Sequence, residues 1–128
     1  MDSIIQDARQ KSVTLLGLGV NVNLAPVADV STDPNDFIYD RSFGQDAQAT
    51  AEYVSNVVKT MDTEGIGSVL KHFPGYGNNV DTHTGVAIDE RPYETFQTSD
   101  YLPFTAGIQA GADAVLVSHN VMSCVDNQ

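Results

Sequence analysis

An α/β fold with parallel strands is predicted by two features of the sequence taken together. Residues 17–26, 65–74 and 111–120 each open on glycine, run through β-branched or apolar residues and end in polar residues or proline, at intervals of 48 (17 to 65) and 46 (65 to 111) residues. A helical pattern precedes each of them: Ile4, Ile5, Ala8, Val13, Leu15 and Leu16; Ala51, Val54, Val57, Val58 and Met61; Phe104, Ile108 and Ala110. Such an interval holds one helix and one strand, and a strand returning parallel to its predecessor needs a crossover of that kind.

In chain order, the first helix leads into a strand that opens at Gly17 and runs out at Asn23-Leu24-Ala25-Pro26. The second helix stops at Gly65, and the continuous apolar run 66–70 behind it reads as a buried strand. Thr98 or Ser99 is expected to cap the third helix, with Pro103 early in it and Gly111 at its end. Ligands of parallel α/β proteins meet the carboxyl ends of the strands. Those ends carry residues 23–29, 71–77 and 118–120, and two long loops, 31–46 and 75–94, leave the same face. A complete (β/α)8 barrel takes about 250 residues, so this chain amounts to a partial barrel of about three α-then-β units, read as a single domain over 1–128. The outer strands of such a piece expose edges and lack the opposite wall of the core, which predicts self-association.

Composition narrows the partners. With 41% hydrophobic and 18% charged residues the chain is globular, and 6 basic against 17 acidic residues give a net charge of -11. Nucleic acid and anionic membranes both demand a basic surface, so neither is expected as a partner; a neutral or cationic ligand suits the balance. Cys124 is the only cysteine, which excludes an internal disulfide, and its flanks read as those of a small buried hydrophobe. No stretch resembles a signal peptide or a membrane span, and the expectation is cytoplasmic. Met1 leads almost directly into helical pattern and Val125-Asp126-Asn127-Gln128 ends without a closing element, as expected of a piece of a longer protein.

The stretch Lys71-His72-Phe73-Pro74-Gly75-Tyr76-Gly77-Asn78-Asn79-Val80-Asp81-Thr82-His83 concentrates a cation, two imidazoles and a carboxylate around two glycines and a proline. A strand should deliver Lys71 and His72 at its carboxyl end, and the loop should return Asp81 and His83 over the same place. Asp81 two residues before His83 can hold one ring nitrogen and aim the other at a substrate, a general acid/base device; the same three residues also suit an Asx-turn with a surface histidine. Lys71 at a buried strand end needs acceptors, which either sugar hydroxyls or a buried carboxylate such as Asp29 would supply. Tyr76 either stacks on a sugar ring or caps the core. Arg41, in Asp40-Arg41-Ser42-Phe43-Gly44, offers a fork suited to a carboxylate or vicinal hydroxyls, or stands as a solvated surface charge. His119 lines the pocket floor or satisfies the core. The three histidines and Asp81 lack the short spacings of metal ligands, so no metal is expected.

With those residues in hand, the chain resembles the N-terminal catalytic domain of family 3 glycoside hydrolases, specifically the β-N-acetylhexosaminidase branch. Asn23-Leu24-Ala25-Pro26-Val27-Ala28-Asp29-Val30, Asp40-Arg41-Ser42-Phe43-Gly44, Lys71-His72-Phe73-Pro74-Gly75-Tyr76-Gly77 and Asp81-Thr82-His83 follow the family's order, and Asp89-Glu90-Arg91, Leu102-Pro103-Phe104 and Ala114-Val115-Leu116-Val117-Ser118-His119 look like its next segments. The resemblance implies a TIM-barrel fold, no cofactor, and retaining hydrolysis of a terminal β-linked N-acetylglucosaminide. It further implies that His83 and Asp81 form the acid/base dyad and that Arg41, Lys71 and His72 bind the sugar. The family's nucleophilic aspartate lies on a later strand that this chain does not reach, and neither Asp113 nor Asp126 matches it, so the chain alone is expected to be inactive. Tyr76 stands where many relatives have histidine, and Thr82 where they often have serine. Two other readings are a β-glucosidase-type hydrolase, which is expected to lack the dyad, and a non-catalytic sugar-binding or self-associating half-barrel.

Overall fold

A computed structural model of the chain describes residues 1–126; Asn127 and Gln128, part of the chain end read above as lacking a closing element, lie outside the described residues. The order is helix α1 (Asp2–Gly17), strand β1 (Val22–Asn23), a 3-10 turn (Tyr39–Arg41), α2 (Ala47–Glu64), β2 (Gly67–Phe73), β3 (Ile88–Asp89), a helical stretch made of α3 (Tyr93–Thr95), a wide π turn (Phe96–Asp100) and α4 (Tyr101–Gln109), then β4 (Ala114–Val117) and β5 (Val121–Met122). Strands β1, β2 and β4 form one sheet in that order, all parallel, with Val22 beside Gly67, Val69 beside Ala114 and Leu70 beside Val115. These are three helix-then-strand units of a partial (β/α)8 barrel.

The repeat has a local cause. Each main helix ends in the same Schellman arrangement: Val20 N–H returns to the Leu15 carbonyl around Gly19, Ile66 to Met61 around Gly65, and Ala112 to Gly107 around Gly111. These three glycines take the left-handed conformation, with φ of 82°, 83° and 101°. Their spacing is 46 residues twice, from 19 to 65 and from 65 to 111, so Gly19 is the first turning point. The expectation that a strand opens at Gly17 is corrected: α1 runs through Gly17. The first strand is also short, because Pro26 has no N–H to donate, although the parallel path continues as a bridge between Val27 and Lys71.

The helices cover one side of the sheet. Ala28, Val54, Val58, Leu70 and Phe104 form a buried cluster, and Ala8, Val57, Met61 and Ile66 form a second beneath α1. Strand β4 is exposed along its length, with Val117 at 65%. Thr98 and Ser99 do not cap a helix, since helical structure begins eight residues before Tyr101; Thr98 Oγ1 donates instead to the Glu94 carbonyl one turn back. Pro103 could give no N–H to the Ser99 carbonyl, and the wide turn lies immediately ahead of it. Cys124 is exposed rather than buried, because it sits in the turn after β5 outside the packed layers. The two-residue pair of β3 with β5, Ile88 beside Val121, is an addition that so short a ladder could not announce through periodicity.

Candidate active site

The carboxyl ends of β1 and β2 meet at Asp29, which is fully buried. Its Oδ2 accepts the backbone N–H of His72 at 3.0 Å and bonds His72 Nδ1 at 2.8 Å, while its Oδ1 accepts the Tyr76 N–H at 2.8 Å. Arg41 Nη2 lies 3.3 Å from His72 Nε2. A guanidinium only donates, so Nε2 must accept and the ring proton sits on Nδ1, pointing at Asp29. Asp29 thereby orients the histidine and is not the partner of Lys71.

Lys71 is half-buried, and its ammonium makes no side-chain hydrogen bond or ion pair among the described residues. Burial, followed by the charge of Arg41, holds it below the ordinary lysine range against the pull of Asp29. Arg41 itself is placed by its two flanks. Ile38, fully buried, accepts the Arg41 N–H at 3.0 Å, and Phe43 stacks on Tyr53 of α2 with ring centroids 4.7 Å apart. Arg41 and Lys71 border a cleft of about 240 Å³ that also reaches Asn23, Leu24 and Tyr53.

His83 Nδ1 and Asp81 Oδ1 are 2.7 Å apart, and the same carboxylate accepts the His83 N–H at 3.0 Å. These two contacts, followed by the charges of His83 and Arg41, hold Asp81 below the usual carboxylate range. The triplet therefore forms the Asx-type turn with an exposed histidine, and the same carboxylate holds one ring nitrogen of that histidine. The His83 side chain is 80% exposed, and neither it nor Asp81 borders the cleft. Thr82 Oγ1 in the loop bonds Tyr76 Oη at 2.7 Å, and Tyr76 is buried with its ring edge-on to His72 at 5.3 Å. Tyr76 therefore caps the core. His119 is exposed at the end of β4 and neither satisfies the core nor borders the cleft. Asp113 sits at the opposite, amino end of the sheet, accepting the Ser68 N–H at 2.8 Å.

Beneath the turn lies an ion cluster that the motifs did not single out. Arg91 binds Asp89 through Nε (2.9 Å) and Nη2 (2.7 Å), Asp100 through Nη1 (3.0 Å) and the Gly75 carbonyl through Nη2 (3.1 Å), and its guanidinium lies 4.5 Å from the centre of the Phe96 ring. A Cβ on Gly75 would stand 2.7 Å from Asp100 Oδ1, and one on Gly77 would overlap Arg91 Nη1, so the glycines here admit the cluster. Burial pushes the Asp100 carboxyl up to about 6, only partly opposed by Arg91. A raised carboxyl contributes stability that is complete below the unfolded value of 3.8 and lost as pH rises through about 6. The stability of the wild type relative to Asp100→Asn should accordingly fall by roughly 1–3 kcal/mol between pH 4 and pH 7. Paired urea denaturations at several pH values read that difference, and a flat difference would contradict it.

Among the described residues no helix is long and apolar enough to cross a membrane. The model of the glycosyl hydrolase family 3 N terminal domain matches residues 1–128. A beta-hexosaminidase of Xylella fastidiosa is 44% identical over 104 residues, covering 80% of this chain and 31% of the relative, so the chain spans about a third of the length of the curated relatives it matches. Among solved structures, a family 3 beta-N-acetylglucosaminidase from Paenibacillus aligns over 98% of this chain and 24% of its own, with TM-score 0.92 and 28% identity. NagZ from Neisseria gonorrhoeae, solved in complex with N-trifluoroacetyl-D-glucosamine, aligns over 99% and 37%, with TM-score 0.89 and 28% identity. The chain belongs to glycosyl hydrolase family 3, as a sequence of its N-terminal domain.

Proposed function

We propose that this chain, read as one partial-barrel domain, carries the acid/base half and part of the sugar pocket of a retaining β-N-acetylhexosaminidase. The observation that carries the reading is the His83–Asp81 pair: with Nδ1 turned to the carboxylate at 2.7 Å and the ring open to solvent, Nε2 is left for a substrate. In the first step His83, as imidazolium, gives its Nε2 proton to the departing glycosidic oxygen. In the second it takes a proton from the water that cleaves the glycosyl-enzyme. Asp81 stabilises the charged ring, and the dyad as a whole takes the acid/base role that a second carboxyl group fills in other glycosidases. Lys71, without a protein acceptor among the described residues, and Arg41 offer donors to sugar hydroxyls, with His72 held between Arg41 and Asp29. No residue of these 128 is assigned as the nucleophile. The β-glucosidase alternative is disfavoured by the dyad. A self-associating half-barrel keeps support from the exposed β4 strand.

Titrating N-acetylglucosamine into isotope-labelled protein should shift the side-chain signals of Arg41, Lys71 and His72, and the 128-residue chain should not hydrolyse an aryl N-acetyl-β-glucosaminide. Turnover abolished by His83→Ala would overturn the division of labour, since the chain would then contain its own nucleophile. Sedimentation of a compact monomer would remove the self-association reading.

A further inference from the structure

The loop that carries the Asp81–His83 pair is closed at its base by a side-chain staple. Asn79 Nδ2 donates to Asp89 Oδ2 at 2.7 Å and to the Tyr76 carbonyl at 2.9 Å, joining the two ends of the loop ten residues apart. Asp89 is fully buried, and its backbone lies in β3, where its carbonyl accepts Ser123 N–H at 3.1 Å and Oγ at 3.0 Å. Arg91 binds the same Asp89 carboxylate and reaches across to the Gly75 carbonyl, on the near side of the loop. Between these anchors, Val80 and Val86 are exposed, and the one hydrogen bond from loop residues 80–86 to Tyr76 is that of Thr82.

From this arrangement we infer that Asn79, Asp89 and Arg91 are positioning residues for the acid/base pair: they touch no substrate and fix where the His83 loop springs from the sheet. The inference rests on the proposed role of His83 and goes beyond it, since it assigns the loop's placement to a partly buried cluster away from the reacting atoms. A two-point closure of this kind limits how far the loop can swing, and the remaining freedom is restrained by Tyr76 and Thr82.

The test compares wild type, Asn79→Ala and Arg91→Lys in the 128-residue chain by residue-resolved hydrogen exchange and by carboxyl-carbon titration of Asp81. Asn79→Ala removes only the staple and is the variant expected to stay folded. The amides of His83 and Thr84, which bond Asp81 in the closed loop, should exchange about tenfold faster in it, and Asp81 should titrate closer to the ordinary carboxylate value. The amides of Val54 and Val58 should keep their wild-type rates. Unchanged loop amides and an unchanged Asp81 titration in the folded variant would overturn the inference, and so would faster exchange spread equally over Val54 and Val58, which marks plain destabilisation. Arg91→Lys should loosen the loop less than Asn79→Ala, because an ammonium still neutralises Asp89; a larger loosening would place the control in the charge cluster and overturn the role given to Asn79. N-acetylglucosamine titrated into the wild type reports separately on the hydrolase reading: no response at Arg41, Lys71 or His72 would count against that reading while leaving the staple as measured.

Discussion

Asp29→Ala should destabilise the chain by about 3–5 kcal/mol, the largest expected loss for a substitution that removes so few atoms. Asp29 is 0% exposed and serves three donors, the N–H groups of His72 and Tyr76 and the His72 ring. Removing it strands all three where water does not reach, and each orphaned donor costs about 1–3 kcal/mol. Asn at the same place can accept with its one oxygen but must turn an N–H₂ toward groups that also donate, so Asp29→Asn should recover little. Urea denaturation followed by circular dichroism measures the loss, and the His72 ring nitrogens in a ¹⁵N spectrum report whether the tautomer survives. A loss below 1 kcal/mol with an unchanged His72 spectrum would show that Asp29 is dispensable.

Arg91→Ala is the second large effect, again about 3–5 kcal/mol, because breaking a buried pair leaves uncompensated charge. Here the stranded charges are two: Asp89, fully buried, and Asp100, 2% exposed, both of which bond the same guanidinium. The deficit should shrink in acid, where protonation of Asp100 relieves the repulsion. Combining Arg91→Ala with Asp100→Asn should also cost less than the two single losses added, since both act on one network. Thermal unfolding of the four proteins at pH 5 and pH 7 gives both comparisons; strict additivity would mean that Arg91 and Asp100 act independently.

The helix-then-strand repeat was legible because it has two independent sources, apolar periodicity and a helix-ending glycine, and the exposed outer strand follows from the count of units. The first unit turns at Gly19, two residues after the expected Gly17, because the two glycines offer the same letter and only the left-handed turn distinguishes them. The site was legible where chemistry sits within a few residues, as in Asp81 and His83. It was illegible where partners are far apart in sequence. Asp29 reads from sequence as one acceptor open to Lys71, and nothing in an apolar run interrupted by one carboxylate says that it instead faces residues 43 and 47 positions later. Arg91 was visible only as part of a family segment, because its three acceptors come from residues 75, 89 and 100.

Asp29 also acts as a common datum. The ring of His72 and the start of the Tyr76 turn are both measured from the same carboxylate, one oxygen each, so a displacement of that group carries the histidine and the turn together and leaves their separation unchanged. Placement errors along Phe73-Pro74-Gly75 consequently do not accumulate. A graft of residues 71–83 onto another scaffold would reproduce the letters of the site but not its dimensions, unless a buried carboxylate were installed beneath it at the place Asp29 occupies here.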